Sequence, residues 1–452
     1  MNIGPILVRT TRHFFPLFND WLDDLPDHRD GKRLTYHRRF LLWVGLFLFL
    51  CKLGSRRQLD YQLGEIGSAV LANLNRLAGT QQTAMPVNGT MDDYLAGVGT
   101  APLAGLRQRL VYRLLRQRVL DAARLQGRYV VLVDATGYLV FRHRHCDHCL
   151  TRSCGEQTLY LHQVLEAKLL GPGGMVLSMA TEFIDNRDTA DTPADADEEQ
   201  RKQDCELKAL RRLVARLRQE FPQLPICLCG DGLYACGTVF QLAKDYKLSF
   251  ICVIKPGRLP ALWQEFQALL ALCPQQQLRV QTPQSVAQVY RWVNDLDYQD
   301  SDGRRWCFNG LACAETHPGG QQTTWAWLTN LTVTGTHVQA VATAGGRQRW
   351  CIENQGFNVQ KNSGLNLEHA YSEGEHWAVY YYLLQLAHLL LQLVEKGSLL
   401  RRLAQEQGKR SAVALFGSLK NMAERLLESL RNWVWPEATY NPERIQIRFD
   451  SS

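Results

Sequence analysis

The sequence predicts an α/β protein with a helical N-terminal region, a sheet-containing core that a β-rich insertion interrupts, and helices at the C-terminus. The first observation is the apolar, β-branched run "RYVVLVDATGYLVF" at 128–141, which is typical of a buried strand. The second is the helical spacing of apolar residues on either side, in 36–77 and 376–397. The third is a series of short, glycine-punctuated strand candidates between 278 and 342. With 452 residues, the chain is long enough for roughly two to four domains.

Residues 1–127 are predicted to be helical. Apolar residues recur at helical spacing in 36–53, 56–77 and 101–126, and the turn region "QQTAMPVNGT" at 81–90 separates these helices. The most apolar run, "FLLWVGLFLFLCKL", has 14 residues, fewer than the roughly 20 that span a bilayer. We therefore interpret it as a buried helix and expect no membrane partner.

Residues 128–255 are predicted to form three strands, a helix, a strand, a helix and a strand. The strands are expected at 128–141, 158–170, 175–184, within 226–235, which ends in a turn, and at 248–255, and the helices at 196–220 and 236–247. This is the element order of a ribonuclease H-like core, although many α/β domains share parts of it.

The pattern changes after Pro256. A helix at 259–272 is followed by strand candidates at 278–281, 287–293, 305–313, 323–331 and 336–342. We interpret 256–345 as a β-rich insertion, 346–397 as the end of the interrupted core, and 398–452 as a C-terminal helical region.

Positive charge is concentrated in one segment. The formal net charge is +7, and arginines crowd the segment 107–128: Arg107, Arg109, Arg113, Arg116, Arg118, Arg124 and Arg128. This clustering favours a nucleic acid or another acidic surface as partner, with Arg113 and Arg116 as candidate phosphate contacts. The alternative is an ordinary solvated helix face.

The chain has thirteen cysteines, a large and odd number. The opening residues, "MNIGPILVRTTRHFF", lack the long apolar stretch and the cleavage site of a signal peptide. We therefore expect a cytoplasmic protein whose cysteines are thiols or metal ligands rather than disulfides.

Three acids are candidate metal ligands. Asp134 follows four apolar residues of the first predicted strand, and Asp231 ends the fourth in "CLCGDG". Because the first and fourth strands are neighbours in a core of this order, the two aspartates should lie close together. Glu353 is expected on a helix packed behind that edge of the sheet. Taken singly, each aspartate could instead be a turn former or a helix cap.

Glu353 is a lone carboxylate in the segment "RQRWCIENQGFNVQK" at 347–361, which is otherwise rich in phosphate-binding groups. Helical spacing places Arg349, Glu353 and either Gln360 or Lys361 on one face. A carboxylate among such groups would repel DNA unless a cation lay between them. Two Mg²⁺ or Mn²⁺ ions held by the three acids would resolve this conflict.

The segment "FRHRHCDHCLTRSC" at 141–154 is a candidate zinc site. Cys146 and Cys149 have the spacing of a zinc knuckle, and Cys154, His162 or Cys205 could complete a tetrahedron. The competing interpretation is a hairpin tip whose basic residues contact DNA and whose thiols are incidental.

The motifs "VVLVDATG", "CGDGLYA" and "RWCIENQGFNVQK" resemble those of bacterial insertion-sequence transposases of the DDE type, in the branch with a Tyr-Arg-Glu-Lys signature or in a close unclassified subgroup. The resemblance covers most of residues 36–395. It implies a ribonuclease H-like fold and two-metal-ion cleavage and strand transfer at terminal inverted repeats. It further implies double-stranded DNA as partner, including target DNA, a homodimer in the DNA complex, and a nucleoid-associated location in the bacterial cytoplasm.

Residue by residue, the resemblance makes Asp134, Asp231 and Glu353 the catalytic metal-binding acids and Arg349 the signature arginine. Two positions depart from the pattern. The signature tyrosine falls at Gly346. The signature lysine falls at Gln360, one residue before Lys361. A shift of one residue turns a helical side chain by about 100°, which changes what Lys361 can contact.

The function expected from the sequence is therefore that of a DNA transposase whose helical region 1–127 binds DNA. One alternative is a ribonuclease H-like nuclease, or a domesticated transposase, that cuts DNA without strand transfer. Another is a catalytically inactive, zinc-stabilised DNA-binding protein. The presence of all three acids favours an enzyme.

Overall fold

The computed structural model describes residues 2–31, 34–65, 67–186, 203–300, 302–372, 376–440 and 445–449. The N-terminal region is helical, as predicted. Its helices are α1 (Gly4–Phe14), α2 (Phe18–Asp23), α3 (Arg38–Leu50), α4 (Arg56–Leu63), α5 (Val70–Ala78), α6 (Asn88–Val98) and α7 (Thr100–Arg116).

A single mixed sheet of ten strands follows, which confirms the predicted α/β class. The strands are β1 (Tyr129–Phe141), β2 (Leu150–Cys154), β3 (Gln157–Leu170), β4 (Val176–Ile184), β5 (Ile226–Gly230), β6 (Ser249–Val253), β7 (Gln277–Gln281), β8 (Ala287–Gln299), β9 (Arg305–Thr316) and β10 (Gln322–Thr329). Their order is β2-β3-β1-β5-β6-β10-β9-β8-β7, with β4 also paired to β3. β3 runs antiparallel to β1, whereas β5 and β6 continue parallel to it.

Three helices connect successive strands along the chain: α8 (Glu206–Glu220) follows β4, α9 (Gly237–Asp245) follows β5 and α10 (Pro260–Leu272) follows β6. The predicted start of α8, at 196–202, lies outside the described residues. The short strand β2 was not predicted, because its residues "LTRSC" are mostly polar and four of its five positions are exposed.

The β-rich insertion extends the main sheet. β10 pairs antiparallel with β6, placing Trp327 opposite Val253, and β9, β8 and β7 continue outward from it. The insertion therefore lengthens the same sheet that carries the two candidate aspartates.

The prediction of a strand at 336–342 is wrong, because this segment is helical. The backbone N–H of Val338 donates to the carbonyl oxygen of Thr334 at 2.8 Å, which starts the helix. Val338, Val341 and Ala342 are buried at helical spacing. This packing outweighs the strand preference of β-branched residues.

Residues 338–362 form a composite helix with α, π and 3₁₀ turns. It packs against the sheet at two glycines. A Cβ atom at Gly345 would lie 2.5 Å from Cδ1 of Ile251, and one at Gly346 would lie 2.4 Å from Nε1 of Trp327. The close contact explains why a tyrosine cannot occupy position 346 in this chain.

Two apolar clusters lie on opposite faces of the sheet. Val131 and Val133 of β1 face the large cluster, which includes the helices. Val130 and Leu132 face the smaller cluster, which includes the composite helix. The sheet is therefore covered on both sides, as the apolar sequence of β1 predicts.

The C-terminal helices are α11 (Trp377–Lys396), α12 (Ser398–Glu406), α13 (Ala412–Phe416) and α14 (Leu419–Asn432). Within the described parts of the chain, α11 is the one helix long and apolar enough to cross a membrane. Its apolar stretch is entirely buried inside the protein. One or two such helices are weak grounds for a membrane assignment, because the core helix of a soluble protein has the same composition.

The N-terminal and C-terminal helices share one core. Ile3 and Trp435 belong to the same apolar cluster as the sheet. The side-chain amide of Asn73 donates to the carbonyl oxygens of Leu430 and Trp433 at 3.0 and 2.8 Å. The predicted boundaries at 127 and 398 therefore lie within one packed body, the first where helices give way to the sheet and the second between two helices.

Candidate functional site

Asp134 of β1 and Asp231, the residue directly after β5, occupy matching positions at two adjacent parallel strands. Leu132 of β1 lies opposite Cys229 of β5, and each aspartate follows this pair by two residues. Leu132 and Cys229 both face the composite helix. Because side chains alternate along a strand, both aspartates are placed on that same face.

The backbone around the two aspartates helps to orient them. Oδ1 of Asp134 accepts the N–H of Ala135 at 3.0 Å. Oδ1 of Asp231 accepts the N–H of Leu233 at 2.7 Å and caps the short 3₁₀ turn Gly232–Tyr234. Each aspartate keeps its second carboxylate oxygen for another partner.

Glu353 lies on the composite helix, in the π turn Ile352–Phe357. The guanidinium of Arg349, one helical turn earlier, is 2.5 Å from Oε1 of Glu353 and 3.7 Å from Oδ2 of Asp134. One cation thus contacts two of the three predicted acids, and the helix brings Glu353 to the aspartate edge of the sheet.

The electrostatic environment of Asp134 disfavours its negative charge. Burial, together with the nearby carboxylates of Glu206, Glu353 and Asp231, raises the pKa of Asp134 to about 7, although the charge of Arg349 opposes this rise. A carboxyl surrounded by other acids gains much from a bound cation.

Glu206 is a fourth acid at this site, and the sequence analysis missed it. It is the first residue of α8, and the hydroxyl of Tyr234 donates to its Oε1. Burial, followed by the charge of Asp231, raises the pKa of Glu206 above its ordinary value, although the Tyr234 hydrogen bond opposes them. No sequence signal distinguished it, since Glu206 begins a helix rich in exposed charges.

The acids do not form a closed metal cage. Within the described ranges, three or more possible ligand atoms lie within 4.8 Å of one another at His145, Cys146 and His162. The oxygens of the acids are not gathered that closely. Arg349 contacts Asp134 and Glu353 where a cation bound by these two acids would lie. Metal binding by the acids would therefore require this arginine to move.

Lys361 and Gln360 have separate surroundings. Nζ of Lys361 is 2.7 Å from Oε1 of Glu368. Gln360 is fully buried and donates to Gln385 and His388, both at 2.9 Å. Gln360 is therefore a core residue, and DNA contact by Lys361 remains a prediction that would require its ion pair with Glu368 to open.

The arginine cluster of α7 contains different kinds of residue. Arg107 is buried and donates to Oγ1 of Thr181 at 2.6 Å, so it belongs to the core. Arg113 is partly buried and donates to the carbonyl oxygen of Phe14 at 3.4 Å. Arg116 is exposed, which leaves it as the more accessible of the two predicted phosphate contacts.

Two exposed tryptophans lie in or next to the insertion. Trp325 of β10 and Trp350 of the composite helix are 43% and 45% exposed. The guanidinium of Arg347 lies 5.5 Å from the centre of the Trp325 ring. By contrast, Trp327 is buried in the smaller cluster. Exposed rings beside arginines are suited to stacking on unpaired bases.

The structure also brings cysteines and histidines together at the far end of β1. Sγ of Cys146 is 3.5 Å from Sγ of Cys149, and Nε2 of His162 is 3.4 Å from both sulfurs. A ligand atom of His145 lies within 4.8 Å of Cys146 and His162. These side chains form a candidate metal site distinct from the acids.

Two cysteines considered in the sequence analysis lie outside this cluster. Cys154 is exposed at the end of β2, opposite Gln157. Cys149 and His162 adjoin the Leu150–Leu161 pair, which is four residue pairs from the Cys154–Gln157 pair along the hairpin. This separates Cys154 from the cluster by roughly 13 Å. The prediction of Cys154 as a zinc ligand is therefore corrected by the pairing of β2 with β3. Cys205 is exposed at the start of α8.

No protein-family model matches the chain, and no curated protein matches it.

Proposed function

We propose that the chain is a DDE-type DNA transposase that cleaves and joins DNA at the ends of a bacterial insertion sequence. The observation that carries this proposal is the position of Asp134 and Asp231 on neighbouring parallel strands, with Glu353 linked to Asp134 through Arg349. Three acids at one sheet edge can hold the divalent ions that phosphoryl transfer requires.

The topology supports a ribonuclease H-like core. The spatial order β4-β3-β1-β5-β6, with β3 antiparallel and the last three strands parallel, agrees with the element order deduced from the sequence. In such a core the first and fourth strands, which correspond to β1 and β5 here, are neighbours, and the first two acids lie at their ends. The insertion then separates β6 from the helix that supplies Glu353.

The carboxylate ligands of these acids suit two Mg²⁺ or Mn²⁺ ions in their chemistry, provided that Arg349 moves aside. Arg349 already holds a positive charge between Asp134 and Glu353, and the raised pKa of Asp134 reflects an excess of negative charge there. When bound, the ions would supply activation of the attacking oxygen and stabilisation of the leaving 3′ oxygen. Asp134, Asp231 and Glu353 would hold them, and the hydrogen bonds to Ala135 and Leu233 would keep the two aspartates oriented.

Arg349 has a second role in this proposal. With Asp134 and Glu353 holding metal in its place, the guanidinium would be free to bind a DNA phosphate, for which its planar donors are well suited. The exposed rings of Trp325 and Trp350 would stack on bases near the cleaved end. The protein would act as a homodimer on double-stranded DNA in the bacterial cytoplasm.

The proposal is tested with Asp134→Asn, Asp231→Asn and Glu353→Gln in the full chain. Each variant should lose Mg²⁺-dependent nicking of duplexes taken from the DNA on either side of the gene, while still binding them. Glu156→Gln, at an exposed hairpin turn, is the matched control and should cut normally. Full cleavage by any of the three variants would remove that residue from the assignment.

Two further outcomes separate the alternative functions. Precut ends with a free 3′ hydroxyl should be joined to a second duplex. Cleavage without joining would indicate a nuclease or a domesticated transposase. A wild-type chain that binds the duplexes but never cuts them with Mg²⁺ or Mn²⁺ would indicate an inactive DNA-binding protein.

A further inference from the structure

The loop between β1 and β2 carries a cluster of soft metal ligands that the proposed DNA chemistry does not use. The two sulfurs of Cys146 and Cys149 and Nε2 of His162 form a nearly equilateral triangle with sides of 3.5, 3.4 and 3.4 Å. In a tetrahedral zinc site these separations are about 3.8 Å between sulfurs and about 3.6 Å between sulfur and nitrogen. An ion about 1 Å out of the triangle's plane would lie about 2.3 Å from both sulfurs, the length of a Zn–S bond.

His145 is the first candidate for the fourth ligand, although its ring nitrogen would have to move closer to Cys149, which lies outside the group of atoms within 4.8 Å of one another. One of its ring nitrogens lies within 4.8 Å of the ligand atoms of Cys146 and His162. Its ring stacks on Phe141 with centroids 4.2 Å apart, which limits its rotation. Its Nδ1 is buried and has no hydrogen-bond partner among the described residues. A buried imidazole nitrogen without a partner is costly unless a metal or another group satisfies it.

The surroundings anchor this cluster to the rest of the fold. Asn186, just beyond β4, makes two hydrogen bonds to this loop. Its backbone N–H donates to the carbonyl oxygen of His148 at 2.9 Å, and its side-chain amide donates to the carbonyl oxygen of Cys149 at 3.1 Å. The ring of His162 lies 4.6 Å from that of Trp377, the first residue of α11. An ion at this position would therefore connect the β1–β2 loop to β3, beside the start of α11.

The cluster also borders a cavity of about 360 Å³. Cys146, His148 and His162 line it together with Asp185 and residues of α6, α7 and α11. The Nδ1 atom of His148 is buried and has no hydrogen-bond partner within the described ranges. His148 is the second candidate for the fourth ligand, because it is adjacent in sequence to Cys149 and faces the same cavity.

The ligand chemistry selects the metal. Thiolate and imidazole ligands favour Zn²⁺, whereas Mg²⁺ prefers oxygen ligands such as those at Asp134 and Asp231. The two sites would thus hold different ions for different purposes. A site with two cysteines and two histidines is typical of structural zinc.

We propose that Cys146, Cys149, His162 and His145 bind one structural Zn²⁺ ion, which fixes the β1–β2 loop against β3 and the start of α11. Cys154 and Cys205 take no part. The ion would bind as the two thiols release their protons, and the uncharged imidazoles would supply nitrogen lone pairs.

The test measures the zinc content of the purified full chain by mass spectrometry. Wild type should carry about one zinc per chain. Cys146→Ser, Cys149→Ser and His162→Gln should lose it, whereas Cys154→Ser, in the same hairpin, should retain it. Of His145→Gln and His148→Gln, the former should lose zinc and the latter should keep it. The reverse pattern would overturn the assignment of His145.

Cobalt replacement gives a readout that does not depend on how well the variants fold. Wild type reconstituted with Co²⁺ should show the visible bands of a tetrahedral ion and the thiolate-to-cobalt absorption in the near ultraviolet. A wild-type chain that takes up neither zinc nor cobalt, or whose Cys146 and Cys149 are joined by a disulfide, would overturn the proposal. Equal loss of zinc in Cys154→Ser would do the same.

This result is independent of the DNA chemistry. Asp134→Asn should retain full zinc content even if it cuts no DNA, and removal of zinc by a chelator should lower the melting temperature of wild type but not of Cys146→Ser. Zinc binding without DNA cleavage would leave the structural site intact and count only against the transposase proposal.

Discussion

Arg349 and Asp134, which are 215 residues apart in the chain, lie 3.7 Å from each other across the gap between the composite helix and β1. The same guanidinium bonds Glu353. This arginine partly neutralises a group of acids whose mutual repulsion is otherwise unfavourable. A cation bound between Asp134 and Glu353 would have to displace it.

The first prediction concerns the pH dependence of folding stability. Asp134 has a pKa of about 7 in the folded protein against an ordinary value of 3.8. Well below pH 3.8 the group is protonated in both the folded and the unfolded state and contributes nothing. As the pH rises toward 7, the carboxyl releases its proton in the unfolded chain but keeps it in the folded protein, which favours unfolding. This loss of folding stability reaches its full size above pH 7.

Asp134→Asn should therefore be more stable than wild type at pH 8, and the difference should shrink steadily toward pH 4. At about 1.4 kcal/mol per pH unit, the upper limit is about 4 kcal/mol. Thermal or urea unfolding without divalent ions measures it, with Glu156→Gln as the exposed control. A difference that does not change with pH would show that burial does not hold Asp134 protonated.

The second prediction concerns Glu206, the leading charged group among those that raise the pKa of Asp134. Glu206→Gln should lower that pKa, so that Mg²⁺ begins to stabilise the protein at a lower pH than in wild type. Tyr234→Phe, which removes the hydrogen bond but keeps the charge, is the matched control and should shift this pH far less.

The measurement is the Mg²⁺-induced rise in melting temperature, recorded between pH 5 and pH 9 for the three proteins. A Glu206→Gln chain that Mg²⁺ no longer stabilises at any pH would instead make Glu206 a direct metal ligand. An unchanged pH midpoint would show that its charge does not reach Asp134.

The third prediction concerns the release of Arg349 to DNA. Arg349→Ala should weaken binding to the duplexes in the presence of Ca²⁺, which occupies such sites without supporting cleavage. The logarithmic salt dependence of binding should fall by about one unit, as expected for loss of one phosphate contact. Arg425→Ala is a suitable control, because Arg425 forms an exposed ion pair with Glu428 on α14.

Arg349→Lys separates charge from geometry. It keeps the charge and should preserve the salt dependence, but it loses the planar pair of donors and should bind more weakly than wild type. If Arg349→Ala changes stability and leaves the salt dependence intact, Arg349 serves the acids only.

The sequence predicted those parts of the site that depend on local pattern. Asp134 and Asp231 could be recognised because each interrupts or ends an apolar strand, where an unpaired charge is unfavourable. Glu353 could be recognised from its arginine-rich and amide-rich neighbours. Glu206 and the Arg349–Asp134 contact could not, because both depend on how separate elements pack against the sheet.

The same limit applies to the fold. The apolar strand β1 and the helix α11 follow directly from their sequences. The polar strand β2 exists because β3 offers it a pairing edge, and the segment 338–342 is helical because its apolar side chains pack into the smaller cluster. Likewise, only the pairing register shows that Cys154 lies far from Cys146 and Cys149.

The last prediction separates structural from DNA-binding arginines in α7. Because the N-terminal helices share their core with residues such as Trp435, a fragment of residues 1–127 would expose apolar surface, so the test requires the full chain. Arg107 is buried, donates to Thr181 and lies 3.6 Å from Glu220. Arg107→Met should lower the free energy of unfolding by about 3–5 kcal/mol, because it leaves Glu220 without its buried partner.

Arg116→Ala should behave in the opposite way. Its side chain is exposed, so the melting temperature should stay close to that of wild type, since surface substitutions usually change stability by less than about 0.5 kcal/mol. Affinity for the duplexes should fall about equally for matched and scrambled sequences, because a phosphate contact carries no base information. Salt titrations of both variants, with Arg425→Ala as the control for an exposed arginine remote from α7, decide the matter. If Arg116→Ala binds with the salt dependence of wild type, DNA does not follow α7, and the positive charge of this segment is only a solvated helix face.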